Sequence, residues 1–470
     1  MGRVDKPITR RDFLKLTGKV GALIGLGAGL GSVVGSCEEP PDVTNTLATI
    51  VGAETTAETS SSVERGREIR VGVVSARTGS LALFGKADDW WIEYAGIACP
   101  EGVICEDRRL HRFLFAVEDS GSDPDAAAAA AESLIAEAAV DMITCSGSAS
   151  LVNAVADRAE TLGCPCLSSF HQWRPFVFRG DEQPEAPYKW TYAHAVGLED
   201  IAANYVAMWE QVATNRKVGL VITDDDESSL WVDSSTGLPS MLEGFGYEIV
   251  LPALSLPGTD DFTGHISEFS KSGCEICCAV MSAEDLLTLW RQSLQLEYEP
   301  KVVTAGRALR FPHVLEAMGT RARNFTAESL WQPDWPYVDS LTGSSAEELA
   351  EDYMTRTGQQ WIAPLAQYAK FEWMADVFKR VIDLDSKEEV ARQVGMTKLD
   401  TCLGPIDFTS PVGTAEAGTG TRPSENVCKA PVAGAQWVGG GVPKLRPATV
   451  ANSGWSEVPV ANTVQLMTYE

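Results

Sequence analysis

The residues that could do chemistry form a few local groups. Cys164, Cys166 and His171 offer sulfur and imidazole donors, as do Cys274, Cys277 and Cys278 in sulfur alone, and either set could ligate zinc. Cys277-Cys278 open an apolar strand, however, and read better as buried core cysteines. The five histidines, His111, His171, His194, His265 and His313, include no pair at helical metal-ligand spacing. Asp224-Asp225-Asp226-Glu227 lacks the alternate-ligand pattern and the glycine of a calcium loop and reads as an acidic turn at a strand end. Gly79 to Lys86 fails as a phosphate loop. Five residues separate its glycines, and alanine follows the lysine, where four residues and Ser or Thr are needed. No HExxH or GxSxG motif occurs. What does recur is a run of small polar side chains after apolar strands: Ser75 through Ser80, with Arg77 and Thr78; Ser146-Gly147-Ser148; and Ser168-Ser169. Each explains itself as a helix cap. Three in succession favour a site that holds a polar small molecule through neutral donors. No cofactor and no catalytic step are expected.

The elements that would position these groups follow an alternating order. Ile69–Ser75 is an apolar, β-branched strand. Lys86–Ile97 is helical, Phe113–Glu118 a strand, and Asp123-Pro124 a helix start with proline at the first helical position. Strands at Val140–Thr144 and Cys164–Ser168 flank a helix at Leu151–Leu162. A second series begins at Val218–Thr223. It continues as helix Leu238–Phe245, strand Tyr247–Leu251, helix Phe262–Ser272, strand Ile276–Met281, helix Ala283–Leu294 and strand Lys301–Thr304. Alternation of this kind predicts an α/β fold of parallel sheets covered on both faces. Ligands in such sheets sit beyond the carboxyl ends of the strands. Two similar series joined near Thr191–Val196 predict two lobes, as does a length of 470 residues. The last 80 or so residues, rich in Gly, Pro and Thr, read as short strands and loops.

Charge narrows the partners. The chain has 38 basic and 65 acidic residues, a net −27. Residues 1–36 are basic, so the rest carries 32 basic and 63 acidic side chains, a net −31. That field repels phosphate backbones, and no nucleic-acid partner is expected. The first segment reads as an address. Thr9-Arg10-Arg11-Asp12-Phe13-Leu14-Lys15 resembles a twin-arginine export motif, and the glycine-rich run from Val20 to Val34 is too short and weakly apolar to span a membrane. Val34-Gly35-Ser36-Cys37 resembles a lipobox, which would place a lipid anchor on Cys37. Glu38 to Arg67 reads as a spacer between membrane and folded body. Eleven cysteines, ten of them apart from Cys37, suggest disulfides in an exported chain. Cys99 with Cys105 and Cys402 with Cys428 are the local pairs expected.

The body resembles periplasmic binding proteins of the branched-chain amino acid importer type, the type I or leucine-binding-like fold. Ile69–Gly85, Asp141–Ala159, Lys217–Asp225, Leu341–Trp361 and Leu403–Phe408 carry the resemblance, which spans roughly residues 68 to 450. It implies two doubly wound lobes joined by about three hinge crossings. The expected boundaries are 1–36 for the export signal and 37–67 for the linker. Residues 68–193 with 328–385 would form lobe 1, and 194–327 with 386–470 lobe 2 and tail. It implies a small-molecule ligand between the lobes, delivered to an ABC permease in the cytoplasmic membrane. A sensor lipoprotein of the same fold is the rival reading. So is an exported hydrolase or redox protein built on the cysteine clusters. Ligand contacts implied for lobe 1 are near Ser146–Ser148 and Ser168–Phe170, with Ser146, Ser148, Ser168 and Ser169 foremost, and for lobe 2 near Trp231, Met281-Ser282 and Gly306-Arg307. Amino-acid binders commonly place a carboxylate near this last position to hold the ligand ammonium. Here Ala305-Gly306-Arg307 has none, and a buried arginine would suit a carboxylate or another anion. Trp173, Trp231, Trp331 and Trp335 are either aromatic walls for a planar ligand or core packing. Trp331–Pro336 reads as an extended loop.

Overall fold

The structure is a computed structural model that describes residues 47–48, 63–179, 186–225, 227–311, 313–410, 425–439 and 445–469. The export motif, Cys37 and most of the linker lie outside these residues. The first strand, β1 (Ile69–Ser75), is buried at every position except Arg70. Such a strand must lie inside a sheet, and it does, between β2 (Phe113–Asp119) and β3 (Met142–Ser146). Next come β4 (Cys166–Gln172) and β5 (Thr191–Val196), all mutually parallel, in the order β2-β1-β3-β4-β5. Leu47–Ala48 pairs antiparallel on the outer edge of β2. The helices between strands begin at side-chain caps. Asp123 accepts from Ala126 N at 2.8 Å ahead of Pro124–Ala136. Ser148 opens Ala149–Leu162, which ends at Gly163 with φ 67°.

The second lobe repeats the scheme. Strand β6 (Lys217–Ile222) is followed by β7 (Glu248–Val250), β8 (Ile276–Val280), β9 (Val302–Thr304) and β10 (Thr326–Ser329). They lie in the order β7-β6-β8-β9-β10. In both sheets the order reverses beside the first strand, and the crevice beyond the strands' carboxyl ends at such a reversal is where this architecture leaves room for a ligand.

The chain passes between the sheets three times among the described residues. After β5 it enters helix Leu198–Trp209, which packs on the second sheet through Tyr205 to Glu328 and Trp209 Nε1 to Thr304 Oγ1 at 2.8 Å. After β10 it returns along Leu330–Trp335, which turns at Pro333-Asp334 with Trp335 N donating to the Gln332 carbonyl at 3.2 Å, to helices Ala346–Thr357, Ala369–Lys379 and Lys387–Val394. The first two of these pack on the first lobe: Asp352 accepts from Trp90 Nε1 at 2.9 Å, and Lys370 Nζ donates to the Cys145 carbonyl at 3.2 Å. The last leans on its predecessor through Arg380 Nη1 and the Gln393 carbonyl, 2.8 Å apart. Strand β11 (Val427–Lys429) then extends the first sheet beside β5. Only β12 (Ala433–Gly439) and β13 (Leu445–Ala451) complete the second sheet, antiparallel beyond β10.

Two sequence expectations need correcting here. The segment from 386 onward does not belong wholly to the second lobe, because Lys387–Val394 and β11 stay with the first. A three-residue strand can extend either sheet; only the open edge beside β5 selects its place. The expected disulfides are not formed either, since all ten described cysteines are free thiols. Cys99 points its thiol at the Gly102 carbonyl at 3.3 Å, and Cys428 Sγ receives the Asp407 N–H at 3.2 Å while Cys402 faces the Ala366 carbonyl. Most of these thiols fill apolar space, as buried cysteines do.

Candidate functional site

The lip of the first lobe is built from the ends of β1, β3 and β4. After β1, Arg77 pairs with Asp89, and Thr78 Oγ1 donates to Asp119 Oδ2 at 2.7 Å. Both side chains therefore fasten a loop rather than face a cavity. Gly79 completes that loop at φ 84°, where a Cβ would fall 2.3 Å from the Gly121 carbonyl. After β3, Ser146 Oγ donates to Gln367 Oε1. Ser148 accepts from Leu151 N as a helix cap, and Ser282 in the second lobe caps the Asp285 N–H at 3.1 Å. In β4, Ser168 Oγ lies 2.9 Å from His171 Nε2 and donates to the Tyr192 carbonyl. Burial lowers the His171 pKa to about 4, so the ring is neutral. Ser169 Oγ is buried with no hydrogen-bond partner among the described residues.

Beneath this lip lies a buried polar network. Ser75 Oγ and Trp91 Nε1 donate to Asp88 at 2.5 and 2.7 Å. Lys370 Nζ reaches the Cys145 carbonyl and Gln367 Oε1, and Gln367 Nε2 donates to the Phe84 carbonyl at 3.0 Å. Asp88 and Lys370 are each 2% exposed. Burial raises the carboxyl pKa and lowers the ammonium pKa, and each charge partly offsets the other's shift.

The lip of the second lobe is charged. Arg307 forks onto Asp225, with Nη2 to Oδ2 at 2.9 Å and Nη1 to Oδ1 at 3.3 Å. Its Nε lies 3.6 Å from Glu227 Oε2. Burial alone would lower the guanidinium pKa; Glu227 and Asp225 outweigh it and raise the value. This answers the sequence expectation for Arg307. Its charge is already met by two carboxylates of the acidic turn, so it is not an open anion clamp. Glu227 Oε1 in turn accepts from Ala149 N across the cleft at 3.3 Å. That N–H is the first of helix Ala149–Leu162, where a carboxylate is favoured. Trp231 is fully buried, its Nε1 without an acceptor among the described residues.

A cleft open to solvent lies between the lobes beside the crossing strands and encloses only about 30 Å³. The first lobe contributes Phe84, Phe170, Trp361 and Pro364; the second contributes Arg310, Phe311, Glu328, Ser329 and Trp437; the crossing contributes Trp331. Phe84 and Phe311 meet edge-on across it at 5.4 Å, and Trp331 meets Trp361 at 5.8 Å. Phe170 has φ 63°, an outlier for a bulky residue, and the β4 register shifts between Ser169 and Gln172. A bulge at a strand end re-aims a side chain, and such strain marks a used position. Within the cleft Glu328 is fully buried and accepts from Tyr205 Oη at 2.6 Å and from Arg310 Nε and Nη2 at 3.2 and 3.1 Å. Burial, then the charge of Glu328, hold the Tyr205 hydroxyl far above its ordinary pKa.

Of the expected ligand stretches only Ser168–Phe170 reaches this cleft, through Phe170; the singled-out serines, Arg77, Thr78, Trp231 and Arg307 do not line it, and Arg310-Phe311, which closely follow Arg307, do. Of the four tryptophans singled out by sequence, only Trp331 lines it; Trp173, Trp231 and Trp335 are core. The wall that sequence missed comprises Phe84, Arg310, Phe311, Glu328, Trp361 and Trp437.

The sequence pattern of the periplasmic binding protein family matches residues 68–421. The chain belongs to that family. Solved structures agree on the fold, which is the type I periplasmic-binding architecture. A leucine binding protein, LivK, from Thermotoga maritima is 18% identical and superposes with a TM-score of 0.61 over 82% of this chain and 99% of that one. The branched-chain amino acid binding protein LivJ of Streptococcus pneumoniae, solved with isoleucine, is 15% identical, with a TM-score of 0.62 over 81% and 99%. An ABC transporter solute binding protein of Rhodopseudomonas palustris, solved with 4-hydroxybenzoate, is 15% identical, with a TM-score of 0.62 over 82% and 96%. The family and fold are those of proteins that bind solutes outside the cytoplasm. Among the described residues no helix is long and apolar enough to cross a membrane.

Proposed function

We propose that this chain is the exported, lipid-anchored receptor of an ABC importer and closes its two lobes on a small carboxylate with a flat, apolar body. The observation that carries this is the aromatic cleft between the lobes with Arg310 at its wall. It lies between the lobes, where a small solute can touch both. Its aromatic faces suit a planar one. Arg310 uses Nε and Nη2 on Glu328, which leaves Nη1 for a ligand carboxylate. Glu328 already receives three hydrogen bonds, so it has little left for a ligand ammonium. That disfavours an amino acid and favours a plain organic acid.

Closure needs the ligand. The direct contacts across the cleft include the Phe84–Phe311 edge contact and the Glu227 to Ala149 hydrogen bond. Each is worth about 1 kcal/mol. A solute touching both lobes adds free energy only to the shut form and shifts the balance toward it. Delivery to a permease follows from tethering at Cys37, which holds the receptor near its partner. No bond of the solute is broken.

The test is a thermal-shift and calorimetric screen of the purified chain against aromatic carboxylates, branched-chain amino acids, dicarboxylates and sugars. Aromatic carboxylates should raise the melting temperature most. A response to sugars or amino acids alone would overturn the ligand class. Permease and ATPase genes beside this one would support transport; a kinase gene in their place would favour the sensing receptor.

A further inference from the structure

At the amino ends of β1 and β2, the edge of the first sheet opposite the cleft, strand Val103–Ile104 pairs with Leu110–His111. Their connecting loop closes through Cys105 N to the Arg109 carbonyl at 3.1 Å and Arg108 N to the Cys105 carbonyl at 2.9 Å. Arg108 sits at φ 64° to make the turn. The loop brings the Cys105 thiol, an Asp107 carboxylate oxygen and a His111 ring nitrogen within 4.8 Å of one another. Cys105 and His111 are 3% and 2% exposed. The carboxylate of Asp107 is half-buried.

The histidine is oriented for ligation. His111 Nδ1 lies 2.7 Å from the Arg67 carbonyl, which can only accept, so Nδ1 carries the proton. Nε2 then faces both Asp107 oxygens at 3.2 and 3.1 Å. Nε2 and the carboxylate oxygens converge where a bound cation would meet both. A carbonyl-held N–H behind the ring is the usual support of a metal-binding imidazole. The segment entering β1, bridged at Arg65 to Leu110, gives the ring its space: a Cβ on Gly66 would fall 2.0 Å from it. One sulfur, one nitrogen and one carboxylate oxygen make a donor set suited to a tetrahedral ion of zinc's softness.

We propose that Cys105, Asp107 and His111 form a binding site for a zinc-class divalent ion, which staples the incoming segment at Gly66-Arg67 to the first lobe away from the solute cleft. Cys105 binds as the thiolate and releases its proton to solvent, and water completes the tetrahedron. The same geometry explains why Cys105 is not held in a disulfide with Cys99, whose thiol points elsewhere.

Cobalt(II) added to the full, reduced chain is the test. One equivalent should produce sulfur-to-cobalt charge-transfer absorption in the near ultraviolet with tetrahedral bands in the visible, and zinc should abolish both. Cys105→Ser should remove the charge-transfer band. Asp107→Asn keeps the fold, since its side chain is partly exposed, and should weaken cobalt affinity at least about tenfold without changing solute affinity. Zinc should raise the melting temperature of the wild type and not of Cys105→Ser. No absorption in the wild type, a band that survives Cys105→Ser, or a mapped Cys99–Cys105 disulfide would each overturn the proposal.

Discussion

The two lips of the cleft have the same strand order behind them and opposite chemistry in front. The first lobe presents hydroxyls, backbone N–H groups and the exposed pair Arg77–Asp89, which fastens its own loop, while Asp88 and Lys370 lie sealed beneath at 2% exposure. The second lobe presents its ions at the cleft: Arg307 and Glu227 each keep 19% exposure, and Arg310 keeps 15%. A sealed network fixes shape, because any movement would strand a buried charge. Partly exposed ions tolerate movement, because water compensates them. The first lobe is thus built as the rigid wall and the second as the jaw that makes and breaks contacts.

Breaking the wall should have the largest effect. Lys370→Met removes the ammonium opposite Asp88 and should lower unfolding free energy by about 3–5 kcal/mol in urea denaturation. Lys370→Met with Asp88→Asn should recover part of that loss. A wall mutation with no effect on stability would erase the distinction between lobes.

The wall should also respond to pH with a defined sign. Burial, then the Asp339 charge, push Glu372 up to about 7 from an ordinary 4.5. A raised carboxyl binds its proton more tightly folded than unfolded. Its contribution is therefore complete below pH 4.5 and lost as pH rises through about 7. The stability of wild type relative to Glu372→Met should shrink by about 3 kcal/mol between those limits. A difference that is flat with pH would contradict the assignment.

Changes in the jaw should act on binding first. Arg310→Met paired with Glu328→Gln avoids a buried lone carboxylate and should weaken binding of the best carboxylate by about 2 kcal/mol, roughly thirtyfold, in calorimetry. The smallest effect should come from Glu227→Gln. Loss of charge at the Ala149 N–H should favour opening of the empty protein by about 1 kcal/mol or less, seen as a larger radius of gyration by X-ray scattering. A stability loss larger than that of Lys370→Met would reverse the comparison.

Much of the fold was legible because hydrophobic period and caps are local. Ile69–Ser75 is a strand as read, and Ala283–Gln295 extends the helix expected at Ala283–Leu294 by one residue. Helix Ala149–Leu162 starts before the expected Leu151 because Ser148 is its cap. The site was legible only in outline. The sequence ArgAlaLeuArg offers Arg307 and Arg310 on equal terms. Asp225 faces the first and Glu328 the second, and these carboxylates lie 82 and 18 residues away. No local pattern separates a guanidinium closed by two carboxylates from one with an edge to spare. The serines at strand ends likewise carry two meanings, and partners such as Gln367, 221 residues from Ser146, decide between them.

By itself the sequence determined the two wound α/β series, the lack of a phosphate-loop, HExxH or GxSxG pattern, and the acidic charge of the body. These follow from neighbours along the chain, where period, capping and net charge act. Only the tertiary structure decided which sheet the late strand Val427–Lys429 extends, which arginine reaches the cleft, and that Cys105 sits with Asp107 and His111. The first two depend on a side chain or strand meeting partners far away in sequence, and the third on the three-dimensional closure of a turn.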